Sequence, residues 1–187
     1  LQQSTQPDVI HLNGYAHGAL PWAAPVLVVG HSCVLSWWRA VRGGPAPGEW
    51  RRYGQAGRRG LRAADMVVAP SRAMLRALED LYGPFSGARV VPNGRVRQWF
   101  RPGEKRELVL SVGRLWDEAK NVAALAAVAP DLPWPIYVAG DDRHPSGRTV
   151  PLEGLRMLRK LGREELAPWF AQAGIYVLPA RYEPFGL

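Results

Sequence analysis

Short, unbroken apolar runs recur along this chain, each leading into a turn or a helix-forming stretch. They are "PVLVVGH" (25–31), "MVVAP" (66–70), "ELVLSVGR" (107–114), "WPIYVAGD" (134–141) and "GIYVLPA" (174–180). Runs this short, apolar at successive positions, are strands buried on both faces. Such strands belong to parallel sheets, where helical crossovers cover both faces. "DVIHL" (8–12) and "ARVVPNG" (88–94) read as weaker strands of the same series. Ser71 is placed to cap a helix over "RAMLRALEDLYG", which Gly83 closes. Further helices are expected over 120–129 and 163–173. This β-α alternation predicts an α/β protein of parallel sheets with crossover helices.

The pattern breaks once, at "NGRVRQWFRPGEKRE" (93–107), which is polar, charged and interrupted by Gly94, Pro102 and Gly103. This stretch reads as an interdomain linker. The expected organisation is therefore one domain over 1–94, a linker over 95–106 and a second domain over 107–187. Each half holds too few strands for a complete doubly wound sheet, so the 187 residues are expected to be a fragment of a longer protein.

Apolar residues make up 47% of the chain, enough for a packed core, and the single Cys33 leaves no partner for an internal disulfide or a cysteine-based metal site. No apolar run approaches the roughly 20 residues of a membrane span. The net charge of +8 favours anionic partners. Part of that charge lies at 49–64, where a helix would gather Trp50, Tyr53, Gly54, Gly57, Leu61 and Ala64 on one arc. Arg51, Arg58 and Arg62 fall on the opposite arc, with Arg52 and Arg59 beside them. Such a face is either a solvated surface or a contact for anionic lipid or a phosphate-bearing acceptor. The two glycines on the apolar arc, Gly54 and Gly57, weaken the helix.

Three groups of residues could carry chemistry. In "SVGRLWDEAKN" (111–121) a strand ends at Gly113, Arg114 leaves it, and Lys120 stands at the expected start of the next helix. Ligands of open α/β sheets bind beyond the carboxyl ends of strands, and helix N-termini there attract anions. A planar guanidinium and an ammonium at one turn suit a diphosphate, the alternative being two surface cations near a turn. The Walker A ending is absent. In the closing "RYEPFGL" (181–187), Glu183 follows a strand and Gly186 permits close backbone approach to a ligand. His31 ends the run "VVGHS", where a turn histidine bound to backbone is the plain reading. Asp141 and Asp142 follow another strand end and read as a solvated loop pair, the alternative being a cation site. No His-x-x-x-His spacing of metal ligands occurs.

In order, "PDVIHL", "VVGHS", "ADMVVAPSRAM", "VVPNG" with "FRP" after it, "LSVGRLWDEAKN", "YVAGD" and "LGREELAPWFAQAGIYVLPARYEPFGL" resemble the family-4 retaining glycosyltransferases. The resemblance covers nearly the whole chain. It implies the GT-B fold, two Rossmann-like domains with parallel sheets, both incomplete here. The first is then the later part of the acceptor-side domain and the second the early part of the donor-binding domain. The family's motif of two glutamates eight positions apart would begin at Glu183. By resemblance Glu183 is a catalytic residue that meets the donor sugar near the reacting carbon, with Gly113 and the backbone of Phe185, Gly186 and Leu187 also at the donor. Arg114 and Lys120 match the cations that hold its diphosphate, and His31 matches a catalytic histidine near the transferred sugar. Arg95, Arg97 and Ala180 depart from the usual pattern.

The resemblance implies a bacterial-type enzyme that moves a sugar from a nucleoside diphosphate sugar to an acceptor hydroxyl. It would need no metal and no cofactor. The acceptor would be a sugar or a lipid-linked glycan, and no nucleic acid is expected as partner. A cytoplasmic place is implied, with peripheral contact to an anionic inner membrane face. The isolated segment is expected not to turn over. The alternatives are a GT-B sugar-nucleotide epimerase, against which "RYEPFGL" argues, and a non-catalytic basic anion-binding module.

Overall fold

The computed structural model describes residues 6–147, 149–150 and 152–186. These form two compact units, Leu1–Gly94 with Pro184–Leu187 and Arg95–Glu183. This division differs in detail from the expected one. The stretch expected as a linker belongs to the second unit, where Arg97–Trp99 make a 3-10 turn and Arg106 already opens a strand. The final residues count with the first unit, in which Ser71 Oγ donates to the Pro184 carbonyl at 2.7 Å.

The first unit holds a four-stranded parallel sheet of β1 (Ile10–Leu12), β2 (Val26–Val29), β3 (Met66–Ala69) and β4 (Ala88–Val90), in that spatial order. Its helices are α1 (Val34–Arg42), α2 (Arg51–Ala63) and α3 (Arg72–Tyr82). As expected, Ser71 caps α3, its hydroxyl accepting from Met74 N at 3.1 Å. Val28, Leu61, Val67 and Leu78 are fully buried at the centre of the core. Each removes enough apolar surface from water to contribute about 1.5–3 kcal/mol. Beside them sits a polar-tipped group. Tyr82 Oη lies 3.1 Å from Cys33 Sγ, and Tyr15 packs edge-on against Tyr82 and donates to the Ser32 carbonyl. Burial, and then Cys33, hold the Tyr82 hydroxyl far above its ordinary range, and burial raises Tyr53 as well.

Helix α2 explains its own glycines. Its buried stripe includes Gly57, Gly60 and Leu61, and a methyl group at Gly60 would lie 1.7 Å from the Tyr15 carbonyl oxygen. The helix forms despite its low propensity because that stripe lets its backbone lie against the turn Tyr15–Ala19. On its other side Arg51, Arg52, Arg59 and Arg62 are exposed, as expected. Arg58 is employed differently. Its guanidinium donates to the Leu81 and Tyr82 carbonyls at 2.6 and 3.1 Å, closing the end of α3.

The second unit is a parallel sheet of β5 (Arg106–Val112), β6 (Ile136–Ala139), β7 (Arg156–Arg159) and β8 (Ala173–Tyr176), in the order β7-β6-β5-β8. Its helices are α4 (Ala123–Val128) and α5 (Arg163–Gln172). Val109, Leu125, Ile136 and Val138 pack on one side of the sheet. Leu108, Leu110 and Ala173 form a second cluster with Trp169 and Phe170 of α5. Alternating residues of β5 thus feed different clusters, as a strand covered on both faces requires. Among the described residues no helix is long and apolar enough to cross a membrane.

Candidate functional site

The chain leaves β5 toward β6 and β7 on one side and returns with β8 on the other. The point where strand order reverses is where an open α/β sheet leaves a crevice at its carboxyl ends. Here β5 and β6 are each followed directly by a glycine. Gly113 N donates to the Ala139 carbonyl at 3.0 Å, and Leu115 N to the Asp141 carbonyl at 2.8 Å, so the two departing loops run together. Gly140 has φ +146°, and a methyl group on it would lie 1.6 Å from the Gly113 carbonyl oxygen. Only bare backbone fits at this crossing. Above it opens a groove of about 640 Å³, lined among others by Gly113, Arg114, Trp116, His144 and Lys160.

Arg114 is exposed but held. Its Nη2 donates to Asp117 Oδ2 at 2.6 Å, and its guanidinium stands 5.4 Å from the centre of the Trp116 ring. Asp117 is buried, and its second oxygen accepts from Ala119 N at 3.0 Å. This side-chain bond opens the 3-10 turn Glu118–Lys120. Lys120 therefore stands in that turn and not at the start of a helix over 120–129. The helix is only Ala123–Val128, and no side chain caps its N-terminus. The cause is Asn121, whose left-handed backbone (φ 53°) separates turn from helix.

The turn is stitched to the segment after β8. Arg181 N donates to the Ala119 carbonyl at 2.8 Å, and Asn121 Nδ2 to the Pro179 carbonyl at 3.1 Å. That brings Glu183 to Lys120, whose Nζ donates to Glu183 Oε2. Their side chains are 13% and 26% exposed, so this pair is less screened than an ordinary surface one. Burial, and then the Glu183 charge, raise the Tyr176 hydroxyl nearby.

Of the residues singled out in the sequence, the second unit thus brings Lys120 and Glu183 together, with Gly113 and Arg114 at the end of the same strand. Gly113 also abuts the Lys120 side chain, its missing methyl group falling 3.6 Å from Lys120 Cγ. His31 belongs to the first unit, exposed beyond the end of β2. Phe185 is half-buried and Gly186 has φ +80°. Leu187 lies outside the described residues. Sequence reasoning missed Asp117, Trp116 and Asn121. For Asp117 the signal was local, an Asp two residues ahead of a free N–H at the start of a turn. Among the described residues no group of three or more His, Cys, Asp or Glu could hold a metal ion.

Comparison with known proteins adds to this geometry. Residues 1–96 match the family described as Glycosyltransferase Family 4. The structure is similar to that of a sucrose-phosphate synthase from Thermosynechococcus elongatus, with a TM-score of 0.77 and 20% identity, covering 100% of this chain and 53% of that one. It is also similar to a crystal structure of a GtfA/B complex, with a TM-score of 0.59 and 17% identity, covering 99% of this chain and 40% of that one. The chain thus spans about half the length of the first and less of the second. No curated protein matches it. The two parallel α/β units have the GT-B fold that the sequence led us to expect. With the family match extending over half its length, the chain belongs to glycosyltransferase family 4.

Proposed function

We propose that this chain forms part of a retaining glycosyltransferase that moves a sugar from a nucleoside diphosphate sugar to an acceptor hydroxyl. The observation that carries the reading is the meeting of Lys120 and Glu183, with Arg114 close by in sequence, at the carboxyl end of β5. A donor of this kind has a diphosphate to be held and a sugar with hydroxyls to be recognised. Arg114 and Lys120 bind the diphosphate, the guanidinium as a fork and the ammonium as a point charge. Glu183 accepts hydrogen bonds from the sugar, and the backbone of Phe185 and Gly186 serves the donor with it. The nucleoside lies in the groove over Gly113 and Gly140, against Trp116 and His144. His31 serves at the transferred sugar.

In the reaction the bond from the anomeric carbon to the diphosphate oxygen breaks, its electron pair leaving with the diphosphate. The acceptor oxygen bonds the anomeric carbon on the same face, and the net reaction releases one proton to solvent. Charge grows on the departing diphosphate, so fixed cations there favour the transition state over the bound donor. Neither a metal nor a cofactor is required on this reading. The first unit takes the acceptor, a sugar or a lipid-linked glycan. The exposed arginines of α2 support contact with an anionic membrane surface, and on this reading the protein is cytoplasmic and peripheral at the inner membrane face.

The test uses the full reading frame. Calorimetry with uridine, guanosine and adenosine diphosphates should show binding of at least one. Arg114→Ala and Lys120→Ala should each weaken it by about 1.5–3 kcal/mol, the range of hydrogen bonds to charged groups. Unchanged affinity in both variants would remove the assignment. Incubation with the corresponding nucleotide sugars should release nucleoside diphosphate, and Glu183→Gln should suppress that release.

A further inference from the structure

Asp117 is the one buried carboxylate among the described residues, and neither the family resemblance nor the proposed reaction gives it a task. Both its oxygens are engaged within the turn, Oδ1 by Ala119 N at 3.0 Å and Oδ2 by Arg114 Nη2 at 2.6 Å. Its backbone carbonyl accepts from Lys120 N at 2.8 Å. One residue therefore bonds the guanidinium of Arg114 and the backbone amide of Lys120. We infer that Asp117 is a positioning residue for the donor diphosphate, acting through Arg114. This inference rests on the donor reading above.

The argument is one of orientation. The Arg114 side chain is 62% exposed, and left to itself it would spread over many rotamers. Asp117 fixes one Nη2 hydrogen from below, and the Trp116 ring lies beside the guanidinium. Guanidinium carries five N–H groups in a planar fork, so the others remain for a phosphate once that edge is pinned. Trp116 is itself held, meeting the His144 ring edge-on at 4.9 Å, while His144 Nδ1 accepts from Ser146 N at 3.0 Å. A second effect opposes the first. A carboxylate near the diphosphate repels it. In this turn that charge sits at the base and is already met by the guanidinium and an amide N–H, so orientation should win.

The experiment is calorimetric titration of the full reading frame with uridine, guanosine and adenosine diphosphates, on Asp117→Asn, Asp117→Ser, Arg114→Ala and the double variants. Serine keeps an oxygen for Ala119 N and so preserves the turn, while losing the reach to Arg114. It supplies the answer should the Asn variant fold poorly. Both Asp117 variants should weaken binding roughly threefold to tenfold, the cost of ordering one long side chain. In the Arg114→Ala background they should change nothing further, an outcome that a merely structural role would not produce. Tighter binding would show that Asp117 only neutralises Arg114, and overturns the inference. Equal weakening with and without Arg114 overturns it too. If the parent binds and the Asp117 variants bind as well as it does, the inference falls alone. If the parent binds none of the nucleotides, the donor reading falls with it.

Discussion

Replacing Gly60 by alanine should unfold the first unit at a much lower temperature, although alanine is the better helix former. The gain in propensity is about 1 kcal/mol. Against it stands a methyl group 1.7 Å from the Tyr15 carbonyl oxygen, where real contacts essentially never fall under 3.0 Å. The obstacle is backbone and cannot rotate away, so α2 must retreat from the turn Tyr15–Ala19. Gly18 packs against the Gly60 carbonyl from the turn's side, at 2.4 Å for its own missing methyl, so the two segments cannot slide past each other either. Overpacking of this kind costs up to about 3 kcal/mol. The gap it opens forfeits a quarter to a half of the dispersion contacts made by Leu61 and Tyr15 there, about 1–2 kcal/mol more. The net loss is about 2–4 kcal/mol, which lowers the melting temperature by roughly 10–20 °C for a unit of this size. The control is Gly54→Ala, whose methyl group would meet only the Leu35 Cδ1 side-chain atom, at 3.2 Å. That variant should melt within a few degrees of the parent. Thermal unfolding followed by circular dichroism measures both. A Gly60→Ala protein as stable as Gly54→Ala would refute the close-packing account of α2.

Arg58 and its neighbours should separate structural from surface roles. Arg58→Gln should lower the melting temperature, because it removes two hydrogen bonds at the end of α3. Arg51→Gln with Arg62→Gln should leave melting unchanged while reducing sedimentation with acidic vesicles at low salt. Equal melting in both variants would count against the α3 contact, and a parent indifferent to acidic vesicles would remove the membrane proposal. Tyr82 and Tyr53 should make the first unit alkali-sensitive. Burial holds both hydroxyls above the ordinary tyrosine range in the fold, so their stabilising contribution is complete below about pH 10 and is lost as pH rises further. Tyr82→Phe should therefore flatten the decline of melting temperature above pH 10, and an unchanged slope would refute this.

The strands that were legible in the sequence are those buried on both faces. The centres of β2, β3, β5 and β6 fall inside their apolar runs because nothing but continuous hydrophobicity can occupy those positions. Strand β7, with the sequence "RMLR", escaped notice because it is an edge strand and exposes its arginines. Helix α1 was missed for a different reason. Its "SWWRAVR" runs directly into a Gly- and Pro-rich loop, which hides where a helix would end. The glycines of α2 looked like weakness because the close approach they allow is a tertiary fact. At the site, Arg114, Lys120 and Glu183 stood out as charged residues past strand ends. Their pairing could not be read, since Lys120 and Glu183 lie 63 positions apart and meet only through the β5–β8 pairing. Asp117 was passed over because a carboxylate in a turn usually faces water, whereas this one is buried.

The spatial order of the strands also sets the order in which the two sheets can be finished during synthesis. In the first unit each new strand joins the one made just before it, so the sheet can grow as the chain emerges. In the second, one edge of β5 has no partner until β8 appears, after β6, β7 and α5 have been made. At ribosomal speeds of about 5–20 residues per second that wait lasts roughly 3–12 s. Throughout it β5 presents an unpaired apolar edge of the kind that recruits other chains. Lys120 and Glu183 can come together only when the wait ends. The candidate site is thus among the last features of the second unit to form, and slower translation between β5 and β8 should lengthen the interval in which a nascent chain is open to aggregation or to capture by a chaperone.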